Sequence, residues 1–194
     1  MKAIKLILAS GSPRRKELLA SLCRDFDIVV PAVEELAWSA EPPASFALRM
    51  AHEKALAVSG MMASDDKVCI VAADTIVVLD DRILGKPKDG ADAVCMLRDL
   101  SGCEHTVITG LCVMVVKGSC HVIHGDAVRT KVKFRDVSDD EIRAYVATGD
   151  PMDKAGAYAI QGGAATMVEG IEGSYTNVIG LPMESLSRIF KELG

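Results

Sequence analysis

The sequence predicts an α/β fold built on a mixed sheet. Two observations predict it: strand-like and helical apolar patterns alternate along the 194 residues, and no repeat or linker separates them. Apolar residues make up 49% of the chain and charged residues 25%, which suffices for a real core and excludes general disorder. We therefore expect a single domain over residues 1–194, or one domain of two lobes.

The first predicted elements are a strand, a helix and a second strand. The apolar run Ile4–Ala9 is typical of a buried strand. Ser12 then follows as a helix N-cap, with Pro13 at the first helical position, and the helix runs to about Cys23. The run Phe26–Val30 predicts the second strand.

The middle of the chain continues this alternation. A long helix is expected over Ser45–Met62, after a polar, proline-punctuated loop. Val68–Ala73 and Thr75–Leu79 are strand-like runs, and a tight turn at Asp80 follows them. Another helix is expected over Ala91–Leu100.

The last third contains a hairpin and two helices. Thr106–Val116 and Cys120–Phe134 predict a long hairpin. A capping box at Ser138 opens a helix to Thr148, and Pro182–Leu193 predicts the last helix. Between these helices, residues 149–181 are rich in glycine and poor in periodicity, which predicts loop or site rather than core.

The charge is unevenly distributed. The net charge is −5, but residues 1–24 carry six basic side chains and one acid, so they hold +5 and the remainder holds −10. An acidic chain with a small basic region favours a compact anionic ligand over stable binding of nucleic acid. No apolar stretch approaches the roughly 20 residues of a membrane span, and the N-terminus lacks a secretory pattern, so we expect a cytoplasmic protein without membrane contact.

Several chemistries have no sequence support. The six cysteines form no CxxC or zinc pattern and are expected to be buried free thiols. The patterns GxSxG, HExxH and GxGxxG are also absent, and the four histidines form no metal pattern. With these patterns excluded, the candidate catalytic residues are the acids, lysines and arginines.

The turn before the first helix is a candidate phosphate site. Arg14 and Arg15 lie at the positive end of the helix dipole, where an anion would compensate them. The free N–H groups of the first turn, the serine hydroxyls and the two guanidiniums could cradle a phosphate, although a solvated surface turn would have the same spacing.

Asp74 interrupts an otherwise continuous buried strand. A buried carboxylate must be paired, hydrogen-bonded or bound to a metal. It is therefore either a strand-edge Asp bonded to nearby amides or a metal ligand or general base. Glu35 and Lys54 are by themselves consistent with solvated surface residues. Lys86, which lies beside a proline at a strand end, is more indicative of a functional site. Such a set suits cleavage of a phosphoanhydride.

Five ordered blocks of this sequence closely resemble the Maf family, and together they span nearly the whole chain. The blocks are Leu8-Ala9-Ser10-Gly11-Ser12-Pro13-Arg14-Arg15-x-Glu17-Leu18-Leu19, Ala72-Ala73-Asp74-Thr75-Ile76-Val77, Gly85-Lys86-Pro87, Asp153-Lys154-Ala155-Gly156-Ala157-Tyr158 and Gly180-Leu181-Pro182. The resemblance implies one Maf-like nucleotide pyrophosphatase domain over residues 1–194. It further implies an elongated α/β fold with a mixed, twisted sheet, flanking helices and two lobes around a central cleft, similar to the inosine triphosphate pyrophosphatases.

The resemblance also implies a hydrolase. The expected reaction splits a nucleoside triphosphate between the α- and β-phosphates, with Mg²⁺ or Mn²⁺, to a monophosphate and pyrophosphate. The subgroup that this chain resembles acts on dTTP and UTP, and modified pyrimidine triphosphates are further candidates. The alternative is a regulatory protein of cell division that senses a nucleotide without turnover. A homodimer is expected from the family alone.

Site residues are carried over from the family motifs. Asp74 resembles the proton acceptor, and Glu35 resembles the second carboxylate, so both are expected to hold the metal. Lys54 and Lys86 resemble the lysines that face the phosphates. Ser10, Arg14 and Arg15 resemble the phosphate cradle of the family. Thr75 and Gln161 are expected to select the pyrimidine base, and Arg14 is also one of the base-specific positions.

Overall fold

Strands and helices alternate along the chain in a computed structural model that describes residues 4–62, 67–118 and 120–193. The strands are β1 Lys5–Ala9, β2 Asp27–Ile28, β3 Lys67–Leu79, β4 Arg82–Leu84, β5 Glu104–Lys117, β6 Cys120–Phe134 and β7 Val168–Glu172. The helices are α1 Pro13–Leu22, α2 Pro43–Ser59, α3 Gly90–Leu100, α4 Asp139–Ala147, α5 Tyr175–Ile179 and α6 Met183–Leu193. The prediction of an α/β fold is confirmed.

The seven strands form one mixed sheet in the order β2-β1-β3-β5-β6-β7, with β4 paired to β3. Strand β1 runs parallel to both β2 and β3, and Ala9 lies opposite Ala72. Strand β4 is antiparallel to β3, and β7 is antiparallel to β6. The predicted mixed sheet with flanking helices is therefore confirmed.

The described residues divide into two compact units. The first contains those within 1–74, 109–128 and 180–194, and the second contains those within 75–108 and 129–179. Strands β3, β5 and β6 each contribute residues to both units. The single domain over residues 1–194 stays a prediction.

The core of the first unit has two layers because successive side chains of a strand point to opposite faces of the sheet. On one face, alternate residues of β1 and β3 pack against α2. On the other face, the intervening residues pack against α1 and α6. The first layer includes Ile7, Ala9, Ile70, Ala72, Ala51, Ala55 and Val58. The second includes Leu8, Val71, Ala73, Leu19, Leu186 and Ile189.

Helix α2 lies in close contact with β5 at Gly110. A Cβ atom on Gly110 would lie 2.2 Å from the carbonyl oxygen of Ala47, which is far inside van der Waals contact. Only a residue without a side chain allows this separation. Gly110 therefore sets the distance between α2 and the sheet.

The core of the second unit includes residues that the sequence assigned to loop or site. Between 149 and 181, Ala157, Tyr158 and Ala164 are buried and pack with α3 and α4. Gly156, with φ of +65°, approaches the Val77 side chain so closely that a Cβ would lie 2.9 Å from it. The expectation of loop or site alone is wrong here, because 3-10 turns and one glycine contact bury this segment without helical or strand periodicity.

Two other expectations are corrected. The runs on either side of Asp74 form one continuous strand, β3, so Asp74 does not interrupt it. Of the six free cysteines, Cys69 and Cys112 are buried, whereas Cys95 and Cys120 are exposed because they lie on outward-facing positions of α3 and β6. Among the described residues, none of the helices is both long and apolar enough to cross a membrane.

Candidate active site

The loop between β1 and α1 is organised by two serines. Ser12 is the N-cap of α1, and its Oγ accepts a hydrogen bond from the Arg15 amide at 3.4 Å. The Oγ of the buried Ser10 accepts one from the Ser12 amide at 3.1 Å. The side-chain hydroxyls therefore fix the turn that begins the helix.

Arg15 folds back over this turn. Its Nη1 donates to Ser10 Oγ at 3.3 Å, and its Nε donates to the carbonyl of Gly180 at 2.8 Å. Burial lowers the pKa of the Arg15 guanidinium, whereas the negative charges of Asp74 and Glu35 oppose that shift. A guanidinium stays charged in proteins, so Arg15 is a cation whose charge interacts with both carboxylates.

Asp74 lies on β3, beyond the part of this strand that pairs with β1. The last pair of β1 with β3 is Ala9 opposite Ala72, so Asp74 is two residues beyond the carboxyl end of β1. Strand alternation places it on the face of Ala72, which packs against α2. Asp74 is 6% exposed, so its carboxylate is almost completely removed from water.

Lys54 joins the two carboxylates. It lies on the buried side of α2, and its Nζ donates to Asp74 Oδ1 at 2.6 Å and to Glu35 Oε1 at 2.5 Å. The expectation that Lys54 is exposed to solvent is therefore wrong. Lys54 is buried because Asp74 and Glu35, opposite α2, form ion pairs with it. The Glu35 side chain is 43% exposed, so the cluster faces solvent on its Glu35 side.

This cluster has the donor chemistry of a magnesium site. Two carboxylates converge on one point, and Mg²⁺ is commonly held by one or two carboxylates together with substrate phosphates rather than by a complete protein cage. Within the described ranges, no group of three or more His, Cys, Asp or Glu side chains could hold a metal. Asp74 and Glu35 could therefore hold such a cation only together with further ligands, such as phosphate oxygens.

The structure brings five predicted residues together in the first unit, and Arg14 lies beside them on α1. These five are Ser10, Arg15, Glu35, Lys54 and Asp74. The partly buried Arg14 adds a second positive charge that acts on Arg15. Arg14 and Arg15 thus add positive charge to the surroundings of the two acids.

The other three predicted residues belong to the second unit. Thr75 is half-buried and follows Asp74 on β3, on the opposite face of the strand. Lys86 is exposed and follows Gly85, whose carbonyl accepts a hydrogen bond from Gly156 at 3.0 Å. Gln161 is exposed and directly follows the buried core segment around Tyr158.

Two contributors escaped the sequence analysis. The carbonyl of Gly180 binds Arg15, although Gly180 was noted only as part of a motif. Arg49 on α2 binds the segment that carries Glu35. An arginine inside the apolar run Phe46–Met50 was the signal for the second, since a cation among apolar residues needs charged or polar partners.

Known proteins are similar to this chain over nearly its whole length. The sequence profile described as Maf-like protein matches residues 5–193. A dTTP/UTP pyrophosphatase of Geobacter sulfurreducens is 53% identical over 193 residues, covering 97% of this chain and 98% of the relative. One of Geobacter metallireducens is 51% identical, covering 98% and 96%. One of Vibrio cholerae is 47% identical, covering 94% and 95%. The chain belongs to the Maf family.

Proposed function

We propose that this protein is a hydrolase that cleaves dTTP and UTP between the α- and β-phosphates, releasing the monophosphate and pyrophosphate. One observation carries the proposal: Lys54 holds the buried Asp74 and the half-exposed Glu35 together, beside Arg15. Relatives that are about half identical over nearly their full length carry the name dTTP/UTP pyrophosphatase, which supports the choice of substrate.

Each residue of the cluster has a role in the proposed mechanism. Asp74 accepts the proton of the attacking water, as a carboxylate that its contact with Lys54 holds at a defined place. Arg15 and Arg14 neutralise the phosphate charge, and Ser10 fixes Arg15. Lys54 keeps the two carboxylates in place and adds positive charge near the reacting phosphate.

A divalent cation, Mg²⁺ or Mn²⁺, completes the proposal. Asp74 and Glu35 would hold it, and when bound it would neutralise charge on the phosphate oxygens. Lys54 already binds one oxygen of each acid, so the cation would share the two carboxylates with the ammonium.

The remaining three residues are assigned to the triphosphate and the base. Lys86 is proposed to bind the phosphates, and Thr75 and Gln161 to select a pyrimidine. A carboxamide such as that of Gln161 can donate to O4 or accept from N3–H of uracil and thymine. Modified pyrimidine triphosphates that keep this edge are included in the proposed substrate class. A cytoplasmic location and a homodimer are further parts of the proposal.

The decisive experiment measures two products separately. The purified protein is incubated with Mg²⁺ and dTTP, UTP, CTP, GTP, ATP or 7-methyl-GTP, and pyrophosphate and orthophosphate are both quantified. Pyrophosphate from dTTP and UTP alone is expected. The variant Asp74→Asn, purified in the same way, controls for contaminating phosphatases. Binding of dTTP without any product would favour the nucleotide-sensing alternative.

A further inference from the structure

Glu35 lies on a segment without regular structure. Residues 29–42 form neither helix nor strand, and Glu34 to Ala40 are exposed. Two backbone hydrogen bonds in this segment are local, from Leu36 to Glu34 and from Glu41 to Trp38. A segment of this kind needs side-chain contacts to hold a carboxylate at a defined place.

Arg49 supplies such contacts from α2. Its Nε and Nη2 donate to the two oxygens of Glu41 at 2.7 and 2.6 Å, which is the bidentate geometry of a strong arginine–carboxylate pair. Its Nη2 also donates to the carbonyl of Leu36 at 2.9 Å, one residue after Glu35. Its Nη1 donates to Glu53 on the same helix at 2.8 Å.

The Arg49 contacts are shielded from water. The Arg49 side chain is 14% exposed and that of Glu41 is 7% exposed, unlike most surface ion pairs. The guanidinium also lies 4.0 Å from the centre of the Trp38 ring. Accepting the hydrogen bonds from Arg49 lowers the pKa of Glu41, and donating them raises the pKa of Arg49, so both stay charged at neutral pH.

We propose that Arg49 is a positioning residue that fixes the Glu35 segment for catalysis. Helix α2 then holds this segment at two places, through Arg49 at Leu36 and Glu41 and through Lys54 at Glu35 itself. Only a guanidinium fork reaches Glu41, Leu36 and Glu53 together, so a lysine cannot replace it fully. This inference rests on the proposed function, because it assigns a catalytic role to Glu35.

Arg49→Gln and Arg49→Lys test it by two readouts. The first readout is kinetic: kcat for dTTP is expected to fall about 10- to 100-fold in Arg49→Gln and less in Arg49→Lys, with KM changed less than about threefold. The second uses Trp38, the one tryptophan of the sequence, whose fluorescence anisotropy is expected to fall when the guanidinium is lost.

Arg98→Gln is the matched control. Arg98 makes a comparable two-point pair with Asp139 on exposed surface of the second unit, so its loss is expected to change neither kcat nor Trp38 anisotropy. Circular dichroism checks folding. If Arg49→Gln does not fold, Glu41→Gln removes the charge of the partner and is expected to shift both readouts in the same direction.

The outcomes separate this inference from the proposed function. A kcat of Arg49→Gln within twofold of wild type would overturn the positioning role, as would full activity of Arg49→Lys. Absence of pyrophosphate release by the wild-type protein would instead overturn the proposed function. In that case a fall in Trp38 anisotropy in Arg49→Gln would still support Arg49 as the anchor of the segment, and unchanged anisotropy would overturn it.

Discussion

Oδ1 of Asp74 on β3 lies 2.6 Å from Nζ of Lys54 on α2, and the same ammonium reaches Glu35 at 2.5 Å. A strand, a helix and an irregular segment thus meet at one cation. Isolated buried charges are unfavourable by several kcal/mol each, so the buried Asp74 and Lys54 stabilise each other, and the half-exposed Glu35 is a second partner of Lys54. The contact gives a buried strand carboxylate a charged partner and holds it at a defined place.

Asp74→Asn is expected to lower kcat by roughly 10²- to 10⁴-fold while KM stays close to normal, because it removes the proton acceptor but retains the shape. Pyrophosphate release from dTTP under saturating Mg²⁺ measures this. Asp99→Asn, which removes an exposed partner of Arg82, serves as the control and should have normal activity. Near-normal turnover of Asp74→Asn would exclude Asp74 as the general base.

Lys54→Met is expected to destabilise the fold by about 2–4 kcal/mol at neutral pH, because two converging carboxylates lose their shared cation. The solvent exposure of Glu35 keeps the value below that of a fully buried set. Adding Asp74→Asn should recover part of the loss, and urea unfolding of both single variants and the double variant measures the coupling. Strictly additive changes in the free energy of unfolding would contradict this coupling. Lys133→Met, which removes an exposed pair with Glu169, should lower the free energy of unfolding much less.

Substitution of the proposed base-selecting residues is expected to alter preference more than rate. Thr75→Ala or Gln161→Ala should reduce the ratio of kcat/KM for dTTP over GTP, with a smaller change in kcat for dTTP. Thr166→Ala, an exposed threonine near Gln161 in the chain, is the comparison. An unchanged substrate profile in both variants would show that other residues select the base.

Stability should fall between pH 6.5 and pH 4 because of His105. Its Nε2 lies 2.7 Å from Tyr158 Oη, its ring is buried against Phe134, and burial lowers its pKa to about 4. The unfolded chain, with an ordinary pKa near 6.5, binds the proton first as the pH falls, so the folded state loses about 3 kcal/mol across this window and nothing further below it.

Comparison with two variants isolates this contribution. His105→Gln should show a shallower loss of stability between pH 7 and pH 4.5 in urea unfolding, whereas exposed His121→Gln should behave like wild type. Identical slopes for wild type and His105→Gln would rule out His105 as the source.

Gly110→Ala is expected to destabilise the protein by about 1–3 kcal/mol or more, because the new methyl group would meet the backbone of Ala47 at 2.2 Å. Thermal unfolding measures the loss. Gly170→Ala, where nothing lies within 4 Å of the added Cβ, should change stability little. A wild-type midpoint for Gly110→Ala would mean that α2 can move outward without cost.

Local signals made much of the fold predictable. Ser12 and Pro13 mark the start of α1, and Ser138 with Glu141 forms the capping box of α4, because both motifs depend only on neighbouring residues. The burial of Tyr158 depends on contacts with His105 and Phe134, which no local pattern announces. The second strand, expected over Phe26–Val30, covers only Asp27–Ile28, which pair with Ile7 and Leu8 of β1.

The site was predictable mainly through resemblance. Residue chemistry alone did not decide whether Asp74 and Lys54 have a structural or a functional role. The contact between them joins residues 20 positions apart, so no local pattern shows it. The charge excess at Arg14 and Arg15 was visible locally, since it depends on the helix N-terminus. Arg49 remained unassigned because its partners belong to a segment with no periodicity of its own.

The 17-residue helix α2 contacts β5 at Ala47, binds the Glu35 segment through Arg49 and reaches Asp74 through Lys54. Each residue of an α-helix turns the next by about 100°. A single inserted or deleted residue between Arg49 and Lys54 would therefore rotate one side chain away from its partners while the other stays in place. Natural variation in this family should accordingly preserve the spacing between these two positions, and insertions should accumulate instead in the loops outside α2.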